Sequence, residues 1–201
     1  MNIIRKITLL LLVIVCQITT AQTVRQVLDK VAATVENAGG VTAAFSISNT
    51  KIQARGTIAL KGKKFQVTTP HGITWFDGKT QWTYVKQNDE VNVSTPTEAQ
   101  LQQINPYTFL NLYKKGYNLS LDKKAASTYE VHLKAASAKS KLQEVYVVVN
   151  KKNYVPSQIK MLRDGKWTTI AITDFKKVKL NDNLFRFNAK DYPSAEVIDL
   201  R

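Results

Sequence analysis

Ile73-Thr74-Trp75-Phe76-Asp77-Gly78-Lys79-Thr80-Gln81-Trp82-Thr83-Tyr84 reads as two short strand-like runs joined by Asp77-Gly78, a dipeptide that tolerates the positive φ of a tight hairpin. With Asp77 and Gly78 as the two loop residues, Phe76 faces Lys79, Trp75 faces Thr80 and Ile73 faces Trp82. Side chains alternate along a strand, so Ile73, Trp75, Trp82 and Tyr84 share one side, and Thr74, Phe76, Lys79, Gln81 and Thr83 the other. One face is aromatic and the other mostly polar. Two occupants of the aromatic face remain open: the protein's own side chains, or something the protein carries.

Outward from this hairpin the same period of two recurs. Val41, Ala43, Phe45 and Ile47 make one upstream run, and Ile52, Ala54, Gly56, Ile58 and Leu60 a second. Phe65 and Val67 follow a Lys61-Gly62 turn. Downstream, Val91 and Val93 follow Gln87-Asn88-Asp89. Further runs are Leu119 and Leu121, Tyr129 to Leu133, Val145 to Val149, Ile159 and Met161, and Trp167 to Phe175, with Asp164-Gly165 as a second hairpin turn. The series predicts about eleven strands in antiparallel hairpins, without an interdomain linker or repeat.

Helical spacing appears in two places. From Thr23 to Ala38, the residues Val24, Val27, Leu28, Val31, Ala32 and Val35 form one apolar stripe that Gly39-Gly40 ends. Pro96 to Gln103 and Pro106 to Tyr113 predict two short helices, with a Thr95 to Glu98 capping box, and Gly116 stops them. These carry Leu101, Ile104, Tyr107, Phe109, Leu110, Leu112 and Tyr113 on more than one side, which predicts burial against a sheet or contact with an apolar ligand.

Arg5 and Lys6, the apolar run Ile7 to Val15 and the small residues before Gln22 read as a secretory signal cleaved after Ala21. That leaves residues 22–201 as a single exported domain. The only cysteine, Cys16, lies in the signal, and bulky Val15 before it disfavours lipidation, so the mature chain depends on its core without disulfides. The 201-residue chain has formal charge +14, and losing Arg5 and Lys6 leaves +12. Lysines fall in pairs at turns, such as Lys63-Lys64 and Lys151-Lys152, and not on a basic helix, which argues against nucleic acid. They fit either attraction to an anionic membrane or simple protection of loops and sheet edges.

Catalytic material is scarce. No G-x-S-x-G, H-E-x-x-H or phosphate loop occurs, and Asp191 and Asp199 are too far apart to argue as a dyad. His132 projects with Glu130 and Lys134 and reads as solvated. His71 reads as a turn residue. Trp82 and Trp167, taken singly, read as core residues. The expectation is a protein that is not an enzyme and needs neither metal nor cofactor.

Two stretches carry a resemblance. Phe65, then Asp77-Gly78-Lys79-Thr80 with Trp82 and Tyr84, then Val91 and Val93 resemble the D-G-K-T-x-W-x-Y hairpin region of the periplasmic outer-membrane lipoprotein carrier proteins. Leu184-Phe185-Arg186-Phe187, Pro193 and Val197-Ile198-Asp199 look like that family's terminal F-x-F, proline, V-I-D pattern. The resemblance implies a mainly β, α+β fold, an incomplete antiparallel β-barrel with a helical lid over a cavity that shields lipoprotein acyl chains.

Phe45, Ile47, Phe65, Trp75, Trp82, Tyr84, Val91 and Val93 would line the wall, with Leu101, Ile104, Phe109 and Leu110 in the lid. Lys61 stands where members often have an arginine associated with lid opening. Lysine lacks the forked hydrogen bonds of that arginine. The implied partners are acylated lipoproteins, an inner-membrane lipoprotein-releasing transporter, and an outer-membrane acceptor or anionic membrane surface, served by a periplasmic monomer. Two alternatives stand beside this: a lipid- or apolar-ligand-binding envelope module that does not deliver cargo, and a barrel filled by its own side chains.

Overall fold

A computed structural model describes residues 24–51, 53–97, 100–101, 111–122 and 126–201. The expected signal segment and most of the two short helices, including Ile104, Phe109 and Leu110, lie outside these residues. Helix α1 spans residues 24–36, and twelve strands follow. They are β1 (Val41–Ser48), β2 (Gln53–Lys61), β3 (Lys64–Thr69), β4 (Gly72–Phe76), β5 (Gln81–Val85), β6 (Glu90–Ser94), β7 (Tyr117–Asp122), β8 (Thr128–Ala135), β9 (Leu142–Asn150), β10 (Pro156–Arg163), β11 (Lys166–Lys177) and β12 (Glu196–Asp199). All twelve form one sheet in the order β12-β6-β5-β4-β3-β2-β1-β11-β10-β9-β8-β7. The sheet is open, with β12 and β7 at its edges.

Eleven strands are those the alternation predicts, and their pairings are antiparallel. The twelfth, β12, corrects the expected count and lies parallel to β6, with Glu196 N donating to Asp89 O and Leu200 N to Val93 O. It closes a C-terminal segment that leaves β11, crosses one end of the sheet through short 3-10 turns at Asp182–Phe185 and Ala189–Asp191, and returns along β6.

The two Asp-Gly turns differ. Asp164 and Gly165 both adopt positive φ, as a two-residue hairpin of this twist requires, and Arg163 pairs with Lys166. In the first hairpin only Gly78 does so. Asp77 instead uses its carboxylate to accept from the backbone N–H of Lys79 and Thr80, which builds a four-residue loop. Phe76 therefore pairs with Gln81, Trp75 with Trp82 and Ile73 with Tyr84, a register two residues from the expected one. A shift of two preserves faces, so the aromatic set survives it.

Cross-strand partners share a face, so the register assigns faces across the whole sheet. On the inner face, defined by α1, lie Leu119, Leu133, Val145, Met161, Ile170, Ile172, Phe45, Ile47, Ile58, Leu60, Phe65 and Phe76. The α1 stripe packs here: Val24, Val27, Leu28 and Val31 against Val131, Leu133, Val145, Val149 and Met161, and Val35 against Val41, Leu60, Phe65 and Phe76. Fully burying each such side chain is worth about 1.5–3 kcal/mol, far more than helix propensity supplies. Tyr113 joins the first group, and its hydroxyl donates to Asp29 of α1. Burial, chiefly, and that carboxylate push the Tyr113 hydroxyl above the ordinary phenol range.

Gly56 is required by a close approach. A Cβ there would stand 2.2 Å from the Thr68 carbonyl oxygen and 2.8 Å from the Phe45 ring, which lies across it from the paired position on β1.

Candidate functional site

Register divides the eight expected wall residues between two faces. Phe45, Ile47 and Phe65 are on the inner face. Trp75, Trp82, Tyr84, Val91 and Val93 are on the outer face, because Trp75 pairs with Gln66 and Trp82, while Phe65 pairs with Phe76. The single aromatic wall is thus corrected. Phe76, expected among polar residues, is the hairpin's inward anchor, 1% exposed with its ring 5.4 Å from Phe65. Next to it the inner face turns polar through Gln81, Thr83, Asn92 and Ser94.

The aromatic outer patch has an occupant from the same chain. The C-terminal segment lays Phe187 and Tyr192 on Trp75 at centroid distances of 5.7 and 5.6 Å, and Tyr192 on Tyr84 at 4.7 Å. Phe185 is wholly buried, as is Val91, which pairs with Val197 of the returning strand. Beside these rings a groove of about 450 Å³ runs between Gln66 and the segment's Asn183, Arg186 and Asp191.

Charges fasten the segment. Asp182 accepts from Lys61 Nζ and Lys64 Nζ, each at 2.8 Å, and Lys61 also donates to the Leu180 carbonyl at 2.9 Å. Arg186 pairs with Asp77 at 3.2 Å. The Lys61 hydrogen bond, then that of Lys64, holds the Asp182 carboxyl down at about 2. Lys61 therefore clamps the C-terminal segment from the end of β2, which is a different position from the expected lid gate. Leu60, the residue before it, is the one that faces inward.

Of the expected lid residues, Leu101 is described, and it packs on the inner cluster of Val35, Phe65 and Phe76. Its helix begins with a capping box further along the chain than expected: Thr97 N donates to Gln100 Oε1 at 2.8 Å and Gln100 N to Thr97 Oγ1 at 3.3 Å. Pro96 precedes the cap and is not the first helical residue. Ile104, Phe109 and Leu110 lie outside the described residues.

What remains on the inner face is a strip that neither cluster absorbs. Phe45, Ile47, Ala54 and Ile172 are half-buried and belong to neither packed group, whereas Val41, at the α1 end of the same strand, is 2% exposed. Between α1 and the sheet the packing is tight, leaving a cavity of about 40 Å³ beside Leu28, Val31, Leu133 and Ile159. About 10–15 Å³ of such space holds one water, so the cavity exceeds that size but is far too small for an acyl chain. The apolar inner-face surface outside both clusters runs along β1, β2 and β11, through Ile47, Phe45, Ala54 and Ile172.

The histidines take different places. His71 is exposed in its turn, as expected. His132 is on the expected outer face but is engaged: its Nε2 is 3.0 Å from Glu144 Oε2 and its ring stacks on Tyr146 at 4.1 Å. Trp82 is half-buried on the outer face, and Trp167 is 38% exposed, so neither is a core residue.

Residues 14–166 match the family described as outer membrane lipoprotein carrier protein LolA. No curated protein matches the sequence. Among solved structures, an uncharacterized conserved protein from Thermus thermophilus superposes with a TM-score of 0.62 at 12% identity, covering 88% of this chain and 99% of that one. MucB gives 0.50 at 9% identity, over 84% of this chain and 64% of MucB. A LolA superfamily protein from Nitrosomonas europaea gives 0.44 at 13% identity, over 84% and 98%. The C-terminal segment that covers Trp75 lies beyond the matched residues.

Proposed function

Since the chain belongs to the outer membrane lipoprotein carrier protein LolA family, we propose that it is an exported carrier that shelters lipoprotein acyl chains on the inner face of its sheet and moves them from inner to outer membrane. The observation that carries this reading is the half-buried strip of Phe45, Ile47, Ala54 and Ile172, apolar surface that α1 leaves uncovered. An acyl chain crossing water exposes methylenes at about 0.8 kcal/mol each, so a chain of some fourteen carbons needs roughly 11 kcal/mol of cover. An apolar strip outside both packed clusters of the described residues supplies cover of that kind. It also lets cargo leave, because the fold does not depend on it as it depends on the α1 clusters.

In this reading the protein works in the periplasm as a monomer and without catalysis. It receives cargo from an inner-membrane lipoprotein-releasing transporter and yields it to an outer-membrane acceptor or membrane surface.

The test is release. Purified protein mixed with vesicles carrying a lipoprotein should bring it into the soluble fraction as a one-to-one complex and pass it to acceptor vesicles. No soluble complex would end the carrier reading. A soluble complex that never delivers would leave a binding module instead.

A further inference from the structure

One end of the sheet gathers cations that nothing described on the chain neutralises. The loops preceding β7, joining β8 to β9 and joining β10 to β11 meet there: Ala136 N donates to Gly116 O, and Asp164 N to Lys141 O. They bring together Lys115, Lys134, Lys139, Lys141, Arg163 and Lys166, none with a carboxylate partner among the described residues, and all but Arg163 exposed. The nearby acids are few. Asp164 is exposed in the turn, and Glu144 is engaged by His132 and by the Tyr146 hydroxyl.

Within this basic end stands Trp167, an exposed large hydrophobic residue, with Lys160 Nζ 4.5 Å from its ring centroid and Tyr146 5.9 Å away on the same outer face. An aromatic ring with a polar N–H, set among lysines, is suited to a membrane's headgroup layer: the ring enters the interface while the amines meet anionic phosphates.

From this geometry we propose that the end formed by the β8–β9 and β10–β11 loops, with Trp167 at its centre, docks on an anionic lipid bilayer. The position suits loading. On the inner face Ile47 pairs with Ile170, three residues and roughly 10 Å from Trp167, so one end of the half-buried strip lies beside the docking end. That orientation rests on the carrier reading, whereas the docking itself rests on charge and exposure alone.

The experiment uses the exported chain, residues 22–201, without cargo, and vesicles of phosphatidylglycerol and phosphatidylethanolamine or of phosphatidylcholine. The wild type should sediment with the anionic vesicles and not with phosphatidylcholine, release as salt rises, and show a blue-shifted tryptophan emission that Trp167→Phe removes. Changing Lys139, Lys141 and Lys166 together to Gln should weaken binding about a hundredfold. The control triple, Lys176, Lys177 and Lys179 to Gln, has the same net charge but lies at the far end of β11, roughly 30 Å away, and should lose much less.

Equal loss in both triples would mean binding by net charge and overturn the proposal, as would no binding to anionic vesicles. Ile47→Ser should bind vesicles as the wild type does. If it fails, the signal reports acyl uptake by the strip, and the docking surface is refuted. Lipid-only vesicles keep this result separate from success or failure in carrying lipoproteins.

Discussion

Changing Phe45 and Ile47 together to Ser should separate ligand lining from structural core when set against Leu133→Ala. Both side chains of the pair are half-buried outside the packed clusters, while Leu133 is 2% exposed beneath α1. Halving the usual value of full burial gives about 1 kcal/mol of stability for each serine change, or about 2 kcal/mol in all. A buried Leu→Ala change removes about 2–5 kcal/mol. The serine pair should therefore lose about 4–8 °C in Tm, and Leu133→Ala about 4–20 °C, at least as much.

Their binding should diverge. If the pair covers about three methylenes of cargo, the serine variant loses about 2.4 kcal/mol, roughly fiftyfold in Kd, while Leu133→Ala stays within about twofold. Titrating a fluorescent diacylated peptide into each variant at a temperature where both are folded reads this directly. Equal affinity for both variants, whether both reduced or both unchanged, would refute the assignment of the strip as lining.

Phe185→Ala empties the wholly buried site where the C-terminal segment anchors and should destabilise by about 3–5 kcal/mol, seen as a large fall in Tm. A change below about 1 kcal/mol would show that the segment is only an appendage. The Asp182 carboxyl is held at about 2, against an ordinary 3.8, by Lys61 and Lys64. Its contribution is fully present above the ordinary value and is lost as pH falls through about 2. Proteolytic release of the C-terminal segment should therefore rise across that window, and Asp182→Asn should flatten the rise relative to wild type, leaving the similarly depressed Asp199 contribution in both. Gly56→Ala should destabilise, contrary to the usual gain from Gly→Ala in a strand, because the backbone oxygen of Thr68 cannot move away from the new Cβ as a side chain could. A higher Tm would contradict this.

Alternation within each strand was legible because one inner face runs from Leu119 to Phe76, and period two follows directly from burying one side. Parity between hairpins was not. Whether Trp75 or Phe76 faces the core depends on Thr69 pairing with Gly72 across the Pro70-His71 turn, and an aromatic residue stands on each side of β4. Both are buried, one by α1's cluster and the other by the C-terminal rings, so hydrophobicity alone gives no preference.

The strand β12 escapes a sequence reading for a related reason. Its four residues show no alternation of burial, and its place is fixed by parallel pairing with β6, a contact distant in sequence. Its detectable sign is Val197-Ile198 between two acids. Lys61 is readable as a notable cation, but its partner Asp182 is far away along the chain and no local pattern links them. Trp167 goes against its residue type. A lone tryptophan defaults to the core, yet its outward parity on β11, opposite Leu162 and beside Lys160, is already implied by the Asp164-Gly165 hairpin.

Whether the inner face holds acyl chains is tested most directly by native mass spectrometry of the protein purified from its exported form, without detergent. The expected spectrum contains a population bearing acylated lipid or lipoprotein at one per protein, diminished in the Phe45 and Ile47 serine variant. Ligand-free protein alone, from cells with normal lipoprotein export, would mean that the strip is filled by the chain itself.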